Sequence, residues 1–198
     1  ISIKEEKMIK GLMFALLIVA FGYTNATSAD HKINTGTSEI KWVGKKILGQ
    51  HNGTIKFKDG HLNFDGNTLK GGEFTVDMTS IKVLDIEDAE YNKKLKGHLE
   101  SEDFFSVTSH KTANFKITKV NKTKSDNGWD YYQVIGDMTI KGIKNQIKFI
   151  AKVKKTDSGA EAQAKFEIDR TQWNVKYGST SFFDSLGDKA IYDDFELE

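Results

Sequence analysis

Alternation of apolar and polar residues along almost the whole chain beyond residue 38 predicts an all-β, antiparallel fold. The expected form is an eight-stranded barrel with one short helix. Three observations carry this reading. Alternating segments recur about eight or nine times; glycine-bearing dipeptides sit at short connections between them; and the period changes to a helical one in a single place.

In order, Ile40, Trp42 and Gly44 alternate with Glu39, Lys41 and Lys45, and Ile55 and Phe57 alternate with Lys56 and Lys58. Asp59-Gly60 reads as a tight hairpin turn, since glycine supplies positive φ. Leu62 and Phe64 continue on its far side to Asp65-Gly66, and Phe74, Val76 and Met78 follow. Between Asp88 and Leu99, Tyr91, Leu95 and Leu99 recur four residues apart, which predicts an amphipathic helix. Phe104 and Phe105 then form an apolar pair where a turn is expected. Strands resume with Ala113, Phe115 and Ile117, extending toward Lys119-Val120, and Asn127-Gly128 is a second hairpin signal. Tyr132, Val134, Gly136, Met138 and Ile140 precede a turn at Lys141-Gly142. Ile143, Ile147, Phe149, Ala151 and Val153 precede another at Ser158-Gly159. Ala162, Ala164, Phe166 and Ile168 lead into a loop, Thr171 to Lys189, and Ile191, Phe195 and Leu197 close the chain.

Alternating strands joined by hairpins favour a meander over a parallel sheet. The Cys…Trp…Cys signature of an immunoglobulin-type sandwich is missing from the sequence. A barrel of this size can hold one small ligand; two packed sheets are the alternative.

The N-terminal region has the layout of a signal peptide. Lys7 and Lys10 are basic, Gly11 to Phe21 is apolar, and Thr27 and Ala29 occupy the −3 and −1 places of a cleavage site. That apolar run is about half the ~20 residues a membrane-spanning helix needs. Residues 1–29 are therefore expected to be removed, with Met8 a natural true start, and residues 30–198 to fold as one domain. An uncleaved membrane anchor is the alternative. Without residues 1–29, which carry Lys4, Lys7 and Lys10 against Glu5 and Glu6, the formal charge of +1 falls to about zero. A balanced surface offers no footprint for nucleic acid or an anionic membrane. The chain has no cysteine, hence no disulfide and no lipoprotein anchor. A bacterial periplasm, or secretion, is the expected location.

Large groups recur on one face of the strands, and these are the expected lumen lining: Trp42, Phe57, Phe64, Phe74, Phe115 and Phe149. Phe166, Ile168 and Phe195 continue the set, with Val134 and Met138 between them. For each residue, simple core filling is the competing account. Thirteen phenylalanines stand against six tyrosines and three tryptophans, so such a wall suits hydrocarbon better than a sugar or nucleotide. Burying ten methylenes is worth about 8 kcal/mol gross, of which ordering and association take back several.

Several segments, in order from about Ser38 to the C-terminus, resemble the YceI-like family of exported lipid-binding proteins. They are Gly53-Thr-Ile-Lys-Phe, Val76-Asp-Met-Thr-Ser-Ile, His98-Leu-Glu-Ser-Glu-Asp-Phe-Phe, Val134-Ile-Gly-Asp-Met-Thr-Ile-Lys-Gly-Ile-Lys and Phe166-Glu-Ile-Asp-Arg-Thr-Gln-Trp. The resemblance implies a lipocalin-like barrel carrying an isoprenoid or other long-chain amphiphile. It does not extend to Ile143-Lys144-Asn145, where the family more often has Val-Thr-Lys.

Arg170 is the sole arginine among 29 basic residues. Its planar fork suits a carboxylate, with Asp169, Asp184, Asp188, Asp193 and Asp194 as candidates. It is expected either to pin the Thr171–Lys189 loop or to meet a ligand headgroup. His51 is a candidate headgroup partner, with a structural role as the alternative. Phe182 and Phe183, in a stretch rich in small residues, and Phe104 and Phe105 are candidate lid or mouth groups. Asp59-x-His61-x-Asn63-x-Asp65 lacks the glycine of a calcium loop, and the five histidines show no metal spacing. No metal or cofactor is expected. The sequence contains neither a nucleophile elbow nor a glycine-rich phosphate loop, so a non-enzymatic role is expected. The functional expectation is a periplasmic protein that sequesters or transports a long-chain amphiphile, isoprenoid, quinone-like or fatty-acyl. The alternative is a non-catalytic structural, stress or partner-binding module with a solid core. Homodimerisation through the outer wall is left open.

Overall fold

The computed structural model describes residues 28–156 and 159–198. Its strands are β1 (Ser28–Lys32), β2 (Glu39–Lys46), β3 (Gly49–Asp65), β4 (Thr68–Val83), β5 (Thr112–Asp126), β6 (Trp129–Ile140), β7 (Ile143–Thr156), β8 (Gly159–Ala164), β9 (Phe166–Asp169) and β10 (Ile191–Leu197). One α-helix, α1 (Ala89–Glu100), separates β4 from β5. Every strand pairing is antiparallel.

One run of chain brings the two ends of the sheet together. β8 pairs with β7, Ala164 lying opposite Ala151, while β9 pairs with β10, Phe166 lying opposite Leu197. Lys165 stands between the two halves, so the run from Gly159 to Asp169 changes partner in mid-course. Because β2 already joins β10 to β3, the hydrogen-bonded order β8-β7-β6-β5-β4-β3-β2-β10-β9 becomes a nearly closed barrel. Counting β8 and β9 as one, eight strands make the wall. β1 lies off this circuit, antiparallel to the far half of β3 with His31 opposite Leu62.

The predicted turns at Asn127-Gly128 and Lys141-Gly142 form as expected. Asn127 (φ 50°) and Gly128 (φ 78°), and Lys141 (φ 50°) and Gly142 (φ 73°), each supply the two successive positive φ values of a tight hairpin. Asp59-Gly60 does not turn. β3 runs straight through it, with a register shift between Phe57 and Asp59. Ile55 and Phe57 occupy odd positions and Leu62 and Phe64 even ones, and a β-bulge resets that parity without reversing the chain. Gly60 meets a different need: a Cβ there would lie 2.7 Å from Phe74 Cδ1 and 2.9 Å from the Glu73 carbonyl oxygen. The reversal comes later, at Gly66 (φ 57°). β1 went unpredicted. The proposed signal peptide, residues 1–29, lies outside the described residues apart from its last two positions, and Ser158 of the proposed Ser158-Gly159 turn is also outside them.

The helix forms one residue later than its periodicity suggests. Asp88 caps it, its carboxylate accepting from the Glu90 and Tyr91 N–H groups at 3.0 and 2.9 Å. Asn92 Nδ2 donates to the Val83 and Ile86 carbonyls and so ties the helix to the end of β4.

The barrel interior is filled to different degrees along its length. In one half Phe64, Leu69, Tyr132 and Val134 are almost wholly buried and pack together. There the Phe149 and Phe166 rings stack with centroids 4.1 Å apart and 9° between planes, and Phe115 lies 5.5 Å from Phe149. The Phe115 ring lies directly over Gly136, whose absent side chain makes room for it. A Cβ at residue 136 would stand 2.5 Å from Phe115 Cζ and 2.6 Å from the Lys116 carbonyl, which is backbone and cannot yield. Gly136→Ala is expected to cost about 1–3 kcal/mol by overpacking, read as a lower midpoint in urea unfolding.

Candidate functional site

In the other half of the barrel the side chains leave space. An apolar cavity of about 150 Å³ lies between the wall and the end of α1. Ile40, Trp42 and Gly44 of β2, Ile55 of β3, and Val76, Met78 and Ile81 of β4 form part of its surface. Ala113 of β5, Met138 and Ile140 of β6, and Phe195 and Leu197 of β10 complete the wall. Leu99 of α1, with Phe104 and Phe105 beyond the helix, covers it.

That cover is fixed by hydrogen bonds. After Glu100 the chain folds back on the helix: the Phe105 N–H donates to the Leu99 carbonyl, Ser106 to Ser101 and Val107 to Glu100. Ser106 takes a positive φ of 49° to allow this. Lys141 Nζ then donates to the carbonyls of Glu102 and Asn174, joining the cover to the following loop. Burial lowers the Lys141 pKa, partly offset by Asp103 and Glu102.

β10 forms an irregular border of the cavity. Its pairing with β2 shifts between Ile191 and Phe195, so the wall is irregular around Tyr192. Tyr192 both borders the cavity and is 53% exposed. Arg170 fastens this irregular stretch from within. Its Nε and Nη2 donate to the Tyr192 and Ile191 carbonyls at 3.1 Å each, and Nη1 donates to the Val175 carbonyl at 2.7 Å. Asp193 is a looser partner at 3.5 Å. The fork therefore grips mainly backbone, where the sequence suggested a carboxylate. Burial lowers the Arg170 pKa, and Asp193 and Asp169 counter that.

Of the residues expected to line a lumen, Trp42, Met138 and Phe195 border the cavity. Phe64, Phe115, Val134 and Ile168 lie in the filled core instead, with Phe74, Phe149 and Phe166 packed against it. Phe57, half-buried, sits against Phe74 with ring centroids 5.8 Å apart and likewise misses the cavity. The reason is volume: rings that large fill the half of the barrel they point into. Of the lid candidates, Phe104 and Phe105 cover the cavity, whereas Phe182 and Phe183 are 47% and 50% exposed and do not border it. Lys176 Nζ lies 4.4 Å from the Phe182 ring centroid. His51 lies on an outer groove beside α1, not in the cavity, and its Nδ1 is 2.8 Å from Asp85 Oδ2. Among the described residues, Trp42 Nε1 is the one buried side-chain nitrogen or oxygen without a hydrogen-bond partner. No cluster of three metal-ligating side chains occurs among the described residues.

The YceI-like domain family matches residues 31–198. The chain belongs to the YceI-like family. A UPF0312 protein of Serratia proteamaculans is 29% identical over 154 residues, covering 75% of this chain and 72% of that protein. Another, from Ectopseudomonas mendocina, is 32% identical over 100 residues, and that match spans 48% of the relative's length. In three dimensions the YceI-like barrel is similar to Burkholderia cenocepacia BcnA, with a TM-score of 0.64, 21% identity, and coverage of 83% of this chain and 95% of that one. It is also similar to a polyisoprenoid-binding domain from Saccharophagus degradans implicated in plant cell wall breakdown, with a TM-score of 0.56, 12% identity, and coverage of 86% and 95%.

Sequence reasoning missed most of the YceI-like cavity wall, because Ile40, Ile55, Val76, Met78 and Leu197 carry medium-sized aliphatic groups. Their signal was the same alternation, in strand segments where aromatics thin out.

The carboxyl of Asp85 illustrates the electrostatics beside α1. Burial by itself raises its pKa, but hydrogen bonds from the Asn52 N–H and from His51 hold it below the usual 3.8. A carboxyl lowered on folding stabilises the protein above its unfolded pKa and loses that contribution as pH falls through the folded value. Asp85→Asn is expected to remove that acid-side dependence, so the stability gap between wild type and variant starts to narrow only as pH falls below about 4 and closes below the folded value. Thermal melts from pH 7 to pH 3 check this. Arg170→Lys leaves carbonyls without donors, at about 1–3 kcal/mol for each. Lower unfolding midpoints and faster protease cleavage between residues 174 and 190 are the expected readouts.

Proposed function

We propose that this domain is exported to a bacterial periplasm, takes up the apolar end of an amphiphile, isoprenoid, quinone-like or fatty-acyl, and sequesters or transports it without chemical change. The observation that carries the reading is the apolar cavity under Phe104 and Phe105, whose wall is almost entirely hydrocarbon. The polyisoprenoid-binding Saccharophagus domain, which shares the fold, supports it. The guanidinium beside the cavity is engaged with carbonyls, so it adds little pull on an anionic headgroup.

The volume sets the strength of the grip. A dry cavity of about this size takes up benzene, so about six carbons fit. Their burial yields about 5 kcal/mol gross, before the several kcal/mol that association costs. That is less than the ten-methylene figure the sequence suggested. A modest hold favours transfer over long-term storage.

Protein purified from a periplasmic extract is expected to release lipid into chloroform–methanol, detected by mass spectrometry. Met138→Trp fills the cavity and is expected to lower uptake of a decyl-tailed quinone at least tenfold with the far-ultraviolet spectrum unchanged. Lipid-free protein from cells, together with equal quinone uptake by wild type and variant, would favour a solid-core structural module.

A further inference from the structure

We infer that the α1 end of the barrel docks on the surface of a phospholipid bilayer, with the Ile47-Leu48 turn and the Phe182-Phe183 pair dipping below the headgroups. The choice of a bilayer rests on the carrier role proposed above, and the inference adds where the protein meets one.

Apolar side chains are unevenly placed on the surface. Of the large hydrophobic residues exposed among the described residues, all but one lie at the end of the barrel where β2 turns into β3, β6 turns into β7 and α1 packs. The exception is Ile150, on the outer wall of β7. Neither of the two most prominent pairs serves the fold. Lys46 lies opposite Gly49, so Ile47 and Leu48 are the two residues of a tight turn, a place that glycine and polar residues normally take. Leu48 is 65% exposed. Phe182 and Phe183 project from a turn that is fixed beneath them. Their N–H groups donate to the Ser179 carbonyl at 3.2 and 3.0 Å, and Ser179 is wholly buried. An anchored backbone thus holds two rings out in water.

Hydrogen bonds tie these features together. The Ile47 N–H donates to the Ala190 carbonyl at 3.2 Å, and the Ile191 N–H to the Gly178 carbonyl at 2.8 Å, which joins the β2–β3 turn to the loop before β10. Beside them Tyr177 meets the His98 ring edge to face, with centroids 4.5 Å apart. His98 in turn borders the outer groove that Tyr91, Lys46 and Lys94 share. No acidic side chain borders that groove. Asp85 and Asp103, which reach its two histidines, are engaged with them at 2.8 and 3.2 Å, leaving Lys46 and Lys94 to meet phosphate.

This arrangement fits a bilayer better than a protein. A protein hot spot clusters its anchors in one desolvated pocket, whereas here separate apolar prongs stand around a basic groove, with Tyr91, Tyr177 and Tyr192 exposed at the same end. Aromatic rings and lysines together are the side chains that settle at headgroup level. Tyr192 also borders the cavity, so docking brings that border up to the layer from which an amphiphile comes. Glu87, Glu90, Asp184 and Asp188 keep this end near neutral, in line with the balanced charge of the chain. Apolar contact therefore carries the docking, and the lysines add a preference for anionic lipid.

Flotation with vesicles of pure phosphatidylcholine or pure phosphatidylglycerol tests this, using protein purified from a periplasmic extract. Wild type is expected to float with both, more strongly with phosphatidylglycerol, and to stay bound in high salt. Leu48→Ser and Phe183→Ser are each expected to lower the partition coefficient about tenfold at an unchanged melting temperature, and Ile150→Ser is expected to leave it unaltered. Should either variant melt lower, Tyr91→Ser on α1 reads the same loss. Absence of flotation with both lipids overturns the docking, as does equal weakening by Ile150→Ser. So does a dimer in light scattering that Leu48→Ser dissociates while vesicles stay unbound, since the patch is then a contact between copies. Flotation without uptake of the decyl-tailed quinone supports docking and overturns the carrier role alone. Quinone uptake from detergent solution without flotation does the reverse.

Discussion

A ring of eight hydrogen-bonded strands encloses a volume that backbone geometry dictates, and the inward side chains must either fill that volume or leave it empty. Everything else in this protein depends on how that constraint is met. Closure itself comes from the run Gly159 to Asp169, which exchanges β7 for β10 as its partner at Lys165. With the wall nearly closed, the stacked rings of Phe115, Phe149 and Phe166 fill one part of the interior, and a mixed aliphatic and aromatic border leaves a hollow in the other. The filled half provides the packing that holds the strands in place, and the hollow half can then tolerate poor packing.

The hollow end needs support that the core does not give it, and polar side chains supply it by gripping backbone. Arg170 holds three carbonyls of the β10 stretch and the loop before it. Lys141 holds the segment after α1 against that same loop. Asn92 and Asp85 attach the helix side to β4 and β3. Of the groups so met, the Val175 carbonyl is buried, and leaving it without a partner would cost about 1–3 kcal/mol. They fix the cover and the β10 side of the cavity, where Arg170 is the one charged residue on an otherwise hydrocarbon border.

Much of this architecture was legible in the order of the residues. Alternation placed nearly every strand of the barrel, Asp88 and the four-residue spacing placed the helix, and Asn127-Gly128 and Lys141-Gly142 marked true hairpins. What misled was Asp59-Gly60, because a bulge and a turn both break alternation and both favour glycine. Only the pairing partner of the next residues tells them apart, and that is not local information. β1 was missed because five residues at the margin of the domain carry little pattern. The cavity was half legible. Choosing the largest side chains found Trp42, Phe104, Phe105 and Phe195, but size also selected Phe64, Phe115, Phe149 and Phe166, which consume the room. Where empty space lies depends on the sum of facing volumes across strands distant in sequence. No single position carries that sum.

The bulge after Phe57 and its counterpart on β5, between Ile117 and Lys119, lie near the level where filled gives way to hollow. Each switches which alternate residues look inward, so the two ends of a strand are written in separate phases. Substitutions in one phase leave the other unread. A residue exchanged past the bulge thus alters what the open end admits while the inward phase of the packed end stays as it is.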